Sequence, residues 1–154
     1  MIYLDNAATT ALSPAAIQAM TKTMTVFGNP SSTHSHGREA SKLLRQARED
    51  IAQALHTQSN KILFTSGGTE SNNTAIKGYA LRHQNRGKHI VTSAIEHHAV
   101  LEVVEYLVDK FGFEATFVQP VDGQIRAADI KKALRPDTIL VSVMAVVKKT
   151  GGPP

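Results

Sequence analysis

The chain contains no cysteine, which excludes disulfides, thiolate metal sites and any cysteine nucleophile among its 154 residues. Long apolar runs are missing too: none approaches the roughly 20 residues that cross a bilayer as a helix. The opening MIYLDNAATT has neither the basic n-region nor the apolar core of a signal peptide. A cytoplasmic location without a membrane partner is therefore expected. Two phosphate-loop signatures, GxxxxGK(S/T) and GxGxxG, do not occur, which disfavours a nucleoside triphosphate or a dinucleotide. Metal-ligand spacing is also absent. His34 and His36 stand two apart, His97 and His98 are adjacent, and no HExxH accompanies them, so no metal is expected. The net charge is +4, but the densest basic patch (Arg82, His83, Arg86, Lys88, His89) has no interleaved aromatic residues to stack bases. No nucleic-acid partner is expected.

What is present is enough for a packed domain: 42% apolar and 19% charged residues, mixed in sign. Ser13 and Pro14 make an N-cap and first-turn pair for a helix over AAIQAMTKTM. The Gly-, Pro- and Ser-rich FGNPSSTHSHG reads as a long loop. Helical spacing runs from Arg38 to Leu55, with Ala40, Leu43, Leu44, Ala47, Ile51, Ala54 and Leu55 on one face. Lys61–Thr65 reads as a strand, then comes a glycine turn and a helix to about Asn85. His89–Ser93 is the next strand. His98–Phe111 keeps helical spacing, with Gly112 as its C-terminal cap. EATFV, AADIKKAL and TILVSVM read as strand, short helix and strand. Strands near 62, 90, 115 and 140 separated by helices predict an α/β layer with a largely parallel sheet.

Two features of this pattern carry chemistry. ILFTSGGTESNN (Ile62–Asn73) places a glycine turn at the carboxyl end of a strand, where α/β sheets bind ligands. Its unpaired helix-start amides suit one phosphate group, with the Ser66 and Thr69 hydroxyls as further donors. The same residues also fit a plain turn capped by Thr69 with nothing bound. TSAIEHHAVL (Thr92–Leu101) brings His97 or His98 to the next carboxyl end. There a histidine can stack on a flat ring or move a proton, or simply be a polar residue in the first turn of a helix.

Four stretches in this order and spacing change the reading: YLDNAATT (Tyr3–Thr10), GNPSSTHSHGREA (Gly28–Ala40), TSGGTESNN (Thr65–Asn73) and TSAIEHHAVL. Together they resemble the amino-terminal part of cysteine desulfurases, class V aminotransferase-like pyridoxal 5′-phosphate (PLP) enzymes of the nitrogen-fixation and iron–sulfur-assembly type. Each stretch alone is weak; the set is specific. The resemblance runs from about Tyr3 to Met144, with Ala11 where a proline is usual. It implies an α/β fold, part of the large domain of fold-type I PLP-dependent transferases, mostly parallel with helices on both faces. The implied segments are 1–13 near the active-site entrance, 14–144 as a partial PLP-binding domain and 145–154 as a divergent tail. The implied chemistry converts L-cysteine to L-alanine and persulfide sulfur for iron–sulfur clusters. Gly68 and Thr69 match positions that hold the PLP phosphate. His97 matches the histidine that stacks on the ring and assists proton transfer.

Past Met144 the family reads about NNE-x-G, where this chain has Val147, Lys148, Lys149, Thr150 and Gly151. Lys148 stands where an asparagine contacts the ring hydroxyl. In the family, the Schiff-base lysine and the nucleophilic cysteine lie further along the chain than this motif. The expectation is therefore a truncated relative without covalent cofactor attachment, with no complete catalytic set and no activity alone. Cutting a sheet after about four strands implies weak stability. Implied partners are a second copy or an intact desulfurase, as a dimer, and iron–sulfur assembly proteins. The alternatives are a non-catalytic protein that docks on an intact desulfurase, or part of another class V aminotransferase or selenocysteine lyase.

Overall fold

The computed structural model describes residues 2–6 and 8–146; the 147–151 divergence and the rest of the tail lie outside them. The chain forms two compact units, Met1–Phe64 and Thr65–Pro154. The division falls inside the 14–144 stretch that the resemblance implies is one partial domain.

The first unit is helical. Helix α1 (Pro14–Thr23) starts as its sequence predicts, with the Ser13 hydroxyl oxygen accepting the Ala16 amide at 3.2 Å. Helix α2 (Ser35–Ala54) begins three residues before the expected Arg38, because His34 caps it: Nδ1 accepts the Gly37 N–H at 3.4 Å. Gly37 is required there, since a Cβ would lie 2.4 Å from the Ser32 carbonyl oxygen. The apolar stripe of α2 is real but not enclosed. Gly37 and Ala52 are its buried residues, while Leu43, Leu44 and Ile51 stay about two-fifths exposed. Helix α1 buries nothing at all.

One strand is missing from the expected set. Ser59–Lys61 forms a single 3₁₀ turn and Ile62 is extended, but Lys61–Thr65 has no ladder partner among the described residues. Leu63 and Phe64 are exposed. The composition of the segment reports an extended preference; a strand also needs a neighbour to bond with.

The second unit carries the sheet. Helix α3 (Gly68–His83) leads to β1 (His89–Ser93), α4 (His98–Phe111), β2 (Glu114–Val118), α5 (Ala127–Ala133) and β3 (Thr138–Ser142). The order is β2-β1-β3, and both pairings are parallel. The strand pattern at 90, 115 and 140 is thus correct, and the α/β class with it. All five residues of β1 are buried, as a central strand covered on both faces requires. Side chains alternate between the faces. Ile90 packs with Ile76 and Ala80 of α3, with Val100, Val103, Val104 and Leu107 of α4, and with Phe113. Val91 turns the other way, onto Val118, Ile125, Ile130 and Ala133 beneath α5. Of the α4 stripe that helical spacing predicts (Val100, Leu101, Val104, Leu107, Val108, Phe111), Val100, Val104 and Leu107 are buried, Leu101 and Val108 half-buried and Phe111 exposed, while Val103 takes a core place. Gly112 ends α4 in the left-handed region, φ 66°, which glycine adopts without a Cβ clash.

The amino edge of the sheet is closed by paired groups. His89 is fully buried and its ring nitrogens lie 2.7 Å from Thr138 Oγ1 and 2.9 Å from Thr116 Oγ1. Thr138 Oγ1 also accepts the Arg135 amide at 2.7 Å. Arg135 pairs with both oxygens of Asp137, at 3.0 and 2.9 Å, and with Glu114. Burial, then the Arg135 charge, holds the His89 pKa below the usual histidine value.

Candidate functional site

The opposite, carboxyl edge is built differently. At the start of α3 the first intrahelical bond runs from the Ser71 amide to the Gly67 carbonyl at 3.0 Å. The amides of Gly68, Thr69 and Glu70 precede that bond and have no helical carbonyl to meet. Gly67 is the N-cap and has no side chain to bond them. Thr69 is therefore not the cap, contrary to the bare-turn reading; it is the second residue of the helix. A Cβ added at Gly67 or Gly68 would meet nothing within 4 Å. Ser66 to Glu70 are all exposed. The bend thus presents donors to open space beside a positive helix end.

The two hydroxyls suggested as extra donors differ. Ser66 is committed: its Oγ donates to Glu70 Oε2 at 2.7 Å, and its amide donates to the same oxygen at 2.6 Å. The Thr69 hydroxyl makes no hydrogen bond to protein among the described residues, although its carbonyl accepts Asn73 Nδ2 at 3.0 Å. Glu70 was not singled out in the sequence. Its signal was available, since an acidic residue three after the cap is a capping-box position; here it reaches back one residue further, to Ser66. The Ser66 hydroxyl and then the Ser66 amide hold its carboxyl below the usual glutamate pKa.

His97 is the N-cap of α4, and Nδ1 accepts the Ala99 amide at 3.1 Å. An accepting Nδ1 carries no proton, so the neutral ring holds its proton on Nε2. The ring is exposed. His98 is the first helical residue, also exposed, with its ring centroid 6.3 Å from that of His97. Helix α4 leaves β1 at its carboxyl end. Helix α3 ends shortly before the amino end of β1 and packs on α4, so its N-terminus is directed toward the same carboxyl edge. The sheet topology thus gives Gly68, Thr69 and His97 one edge in common. Among the described residues no cluster of three His, Cys, Asp or Glu side chains could hold a metal ion.

The other resembling stretches belong to the first unit. The Tyr3 hydroxyl folds back onto the Asp5 carbonyl at 2.9 Å. In the Gly28–Gly37 stretch, whose last three residues open α2, a Cβ at Gly28 would lie 2.5 Å from the His36 carbonyl oxygen, so the backbone there is closely packed.

The class-V aminotransferase family profile matches residues 2–152. The cysteine desulfurase IscS of Dictyoglomus turgidum is 52% identical over 153 residues, which are 97% of this chain and 38% of that protein. A solved NifS-like protein has a TM-score of 0.88 at 38% identity, over 96% of this chain and 41% of the other. SspA, solved in complex with cysteine, has a TM-score of 0.85 at 36% identity, over 95% and 42%. The chain spans about two-fifths of the length of these relatives. With the profile matching nearly end to end, this chain belongs to the class-V aminotransferase family.

Proposed function

We propose that this chain supplies the phosphate-holding and ring-stacking side of a PLP site in a cysteine desulfurase, which takes sulfur from L-cysteine for iron–sulfur cluster assembly. The observation that carries the reading is the open glycine bend. Three helix-start amides, a threonine hydroxyl with no protein partner among the described residues, and open space over Gly67 and Gly68 form a donor set suited to a phosphate monoester. The relatives named cysteine desulfurase and the SspA complex with cysteine support the substrate class.

In this reading the amides of Gly68, Thr69 and Glu70 and the Thr69 hydroxyl anchor the phosphate. His97 offers an exposed flat ring whose Nδ1 is held by the Ala99 amide. That bond fixes the ring orientation and leaves Nε2 as the nitrogen free to exchange a proton. PLP, when bound, supplies an electron-withdrawing ring that stabilises negative charge on the substrate carbon. None of these 154 residues is a cysteine, so the thiol that receives the sulfur comes from outside them. The chain by itself anchors cofactor and does not turn over cysteine.

The test is a PLP titration of the 154-residue chain monitored by absorbance and fluorescence, repeated with inorganic phosphate as competitor. Saturable binding that phosphate displaces is expected, with no alanine formed from cysteine. Binding indifferent to phosphate would place the contact elsewhere and end the proposal.

A second reading rests on α1, whose Ile17 and Met20 are exposed, as is Met24 at its C-cap. In it the chain docks on an intact desulfurase without catalysing. Recovery of a full-length desulfurase in a pull-down that an Ile17→Asp, Met20→Asp variant abolishes supports this; recovery of chaperones alone refutes it.

A further inference from the structure

Glu96 is the buried carboxylate of the described residues, 8% exposed, and none of their ion pairs includes it. A carboxylate withdrawn from water without a cation is costly unless donors replace the lost hydration. Two do so here, on the same oxygen: Oε1 accepts the Ser93 hydroxyl at 2.7 Å and the Met144 amide at 2.7 Å. Its place one residue before the α4 cap adds the favourable potential of a helix N-terminus.

The partners lie far apart in the chain: Ser93 ends β1, and Met144 stands two residues past β3. The β1–β3 ladder runs to Thr92 opposite Ser142, reinforced by the Thr92 hydroxyl donating to the Ser142 carbonyl at 2.8 Å. Beyond that pair the strands end, and Glu96 takes over the connection. It reaches from the turn that carries His97 to Met144, 48 residues later. Ser93, the last residue of β1, is fully buried and donates to the same carboxylate oxygen as the Met144 amide.

We propose that Glu96 is a positioning residue: its carboxylate ties the His97 turn to the segment leaving β3, and so sets where the histidine ring stands at the ligand edge. The cofactor part of this inference rests on the PLP reading given above; the clamp itself does not. A carboxylate that merely fills space is replaceable by an apolar side chain of similar volume without loss of stability. A clamp is not replaceable in that way, because only an acceptor can hold the Met144 amide.

The experiment compares Glu96→Met with Glu96→Gln in the full chain, reading amide exchange at Met144 by NMR and PLP affinity by fluorescence. With Met at 96, Met144 exchange is expected to accelerate about tenfold or more, and PLP affinity to fall about tenfold, the scale of losing a supporting contact. With Gln, whose carbonyl can accept both donors, both are expected within about threefold of the parent. Parental Met144 exchange in Glu96→Met overturns the clamp. Changed exchange with parental PLP affinity overturns the positioning role. If the parent chain fails to bind PLP, the cofactor reading falls, and the Met144 contrast still decides the clamp. Should Glu96→Met not fold, Ser93→Ala replaces it: exchange and affinity moving together support the role, and either one unmoved refutes it.

Discussion

Replacing Gly68 by aspartate separates the helix from the anion it is proposed to hold. Gly68 is the first residue of α3, and its Cβ direction is open to 4 Å, so the backbone accepts the side chain. A carboxylate in the first turn is favourable to the helix by about 0.3–1 kcal/mol, partly offset by Glu70 in the same turn. The melting temperature of Gly68→Asp should therefore hold or rise by up to about 3 °C. The phosphate meets the opposite effect. A dianion about 5 Å from the new carboxylate, at a water-like dielectric of about 80, is repelled by roughly 1.7 kcal/mol, or about 20-fold in affinity. Burial by the ligand lowers the dielectric and enlarges the loss.

Gly68→Asn is the neutral control, equal in volume, and should stay within about threefold of the parent. PLP fluorescence titrations at about 0.1 M and 1 M salt complete the assay, since a Debye length falling from about 10 to 3 Å should recover much of the aspartate loss. Equal losses for Asp and Asn would show that bulk, not charge, was responsible. Parental affinity in Gly68→Asp would mean that no phosphate sits at these amides, and the cofactor assignment would fail with it.

The same contacts have other measurable consequences. His89 is held neutral, with its pKa depressed, so its contribution to stability is full above the unfolded histidine pKa of about 6.5 and declines as pH falls toward the folded value, by up to about 1.4 kcal/mol per pH unit. Urea melts at pH 5.5 and 7.5 should show this slope reduced in His89→Gln; an unchanged slope would exclude His89 as its source. A Cβ at Gly87 would stand 2.1 Å from the Asp137 carbonyl oxygen and 2.7 Å from its carbon, both backbone. Gly87→Ala should accordingly cost about 1–3 kcal/mol in urea denaturation, and a loss below about 0.5 kcal/mol would contradict the close approach. Glu70 should titrate below an ordinary glutamate by NMR, contributing stability above the ordinary value that is lost as pH falls through the lowered one. Ser66→Ala should move that midpoint upward, because the hydroxyl is the larger cause; no movement would assign the shift elsewhere.

Elements with a strong local period were legible. His98–Phe111, the β-branched run of β1 and the Gly112 cap all stand where their spacing puts them. Features that depend on a distant partner were not. Lys61–Thr65 has the composition of a strand but no neighbour to bond with among the described residues. The early start of α2 depends on a histidine nitrogen acting as cap, a role that propensities assign to Ser, Thr, Asp and Asn. The α2 spacing names an apolar face, yet the residues that the helix buries, Gly37 and Ala52, are not among those it names; periodicity says which residues seek cover and not whether cover exists. The site divides in the same way. The glycine bend and His97 announce themselves through local chemistry. Glu70 needed attention to a four-residue reach, and Glu96 is visible only once Met144 has been folded beside it.

The two edges of the sheet show why a parallel α/β layer concentrates chemistry on one side. At the amino edge several strong donors and acceptors have partners fixed by the fold: Arg135 spans Asp137 and Glu114, His89 bridges two threonines, and Gly87 lets the backbones close. Groups paired in this way contribute stability and are not free for a ligand. At the carboxyl edge the helices begin rather than end, so their first amides are in surplus by construction. The sequence leaves that surplus open at Gly67 and Gly68 by omitting any capping side chain, and trims it at α4 by letting His97 cap its own helix. One helix start is thereby left with unpaired amides while the other holds an aromatic ring in a set orientation. A buried glutamate then ties the ring-bearing turn to the end of β3. The division of labour is a property of the topology; under the proposed reading, glycine at one helix start and histidine at the other suit it to a flat, phosphorylated ligand.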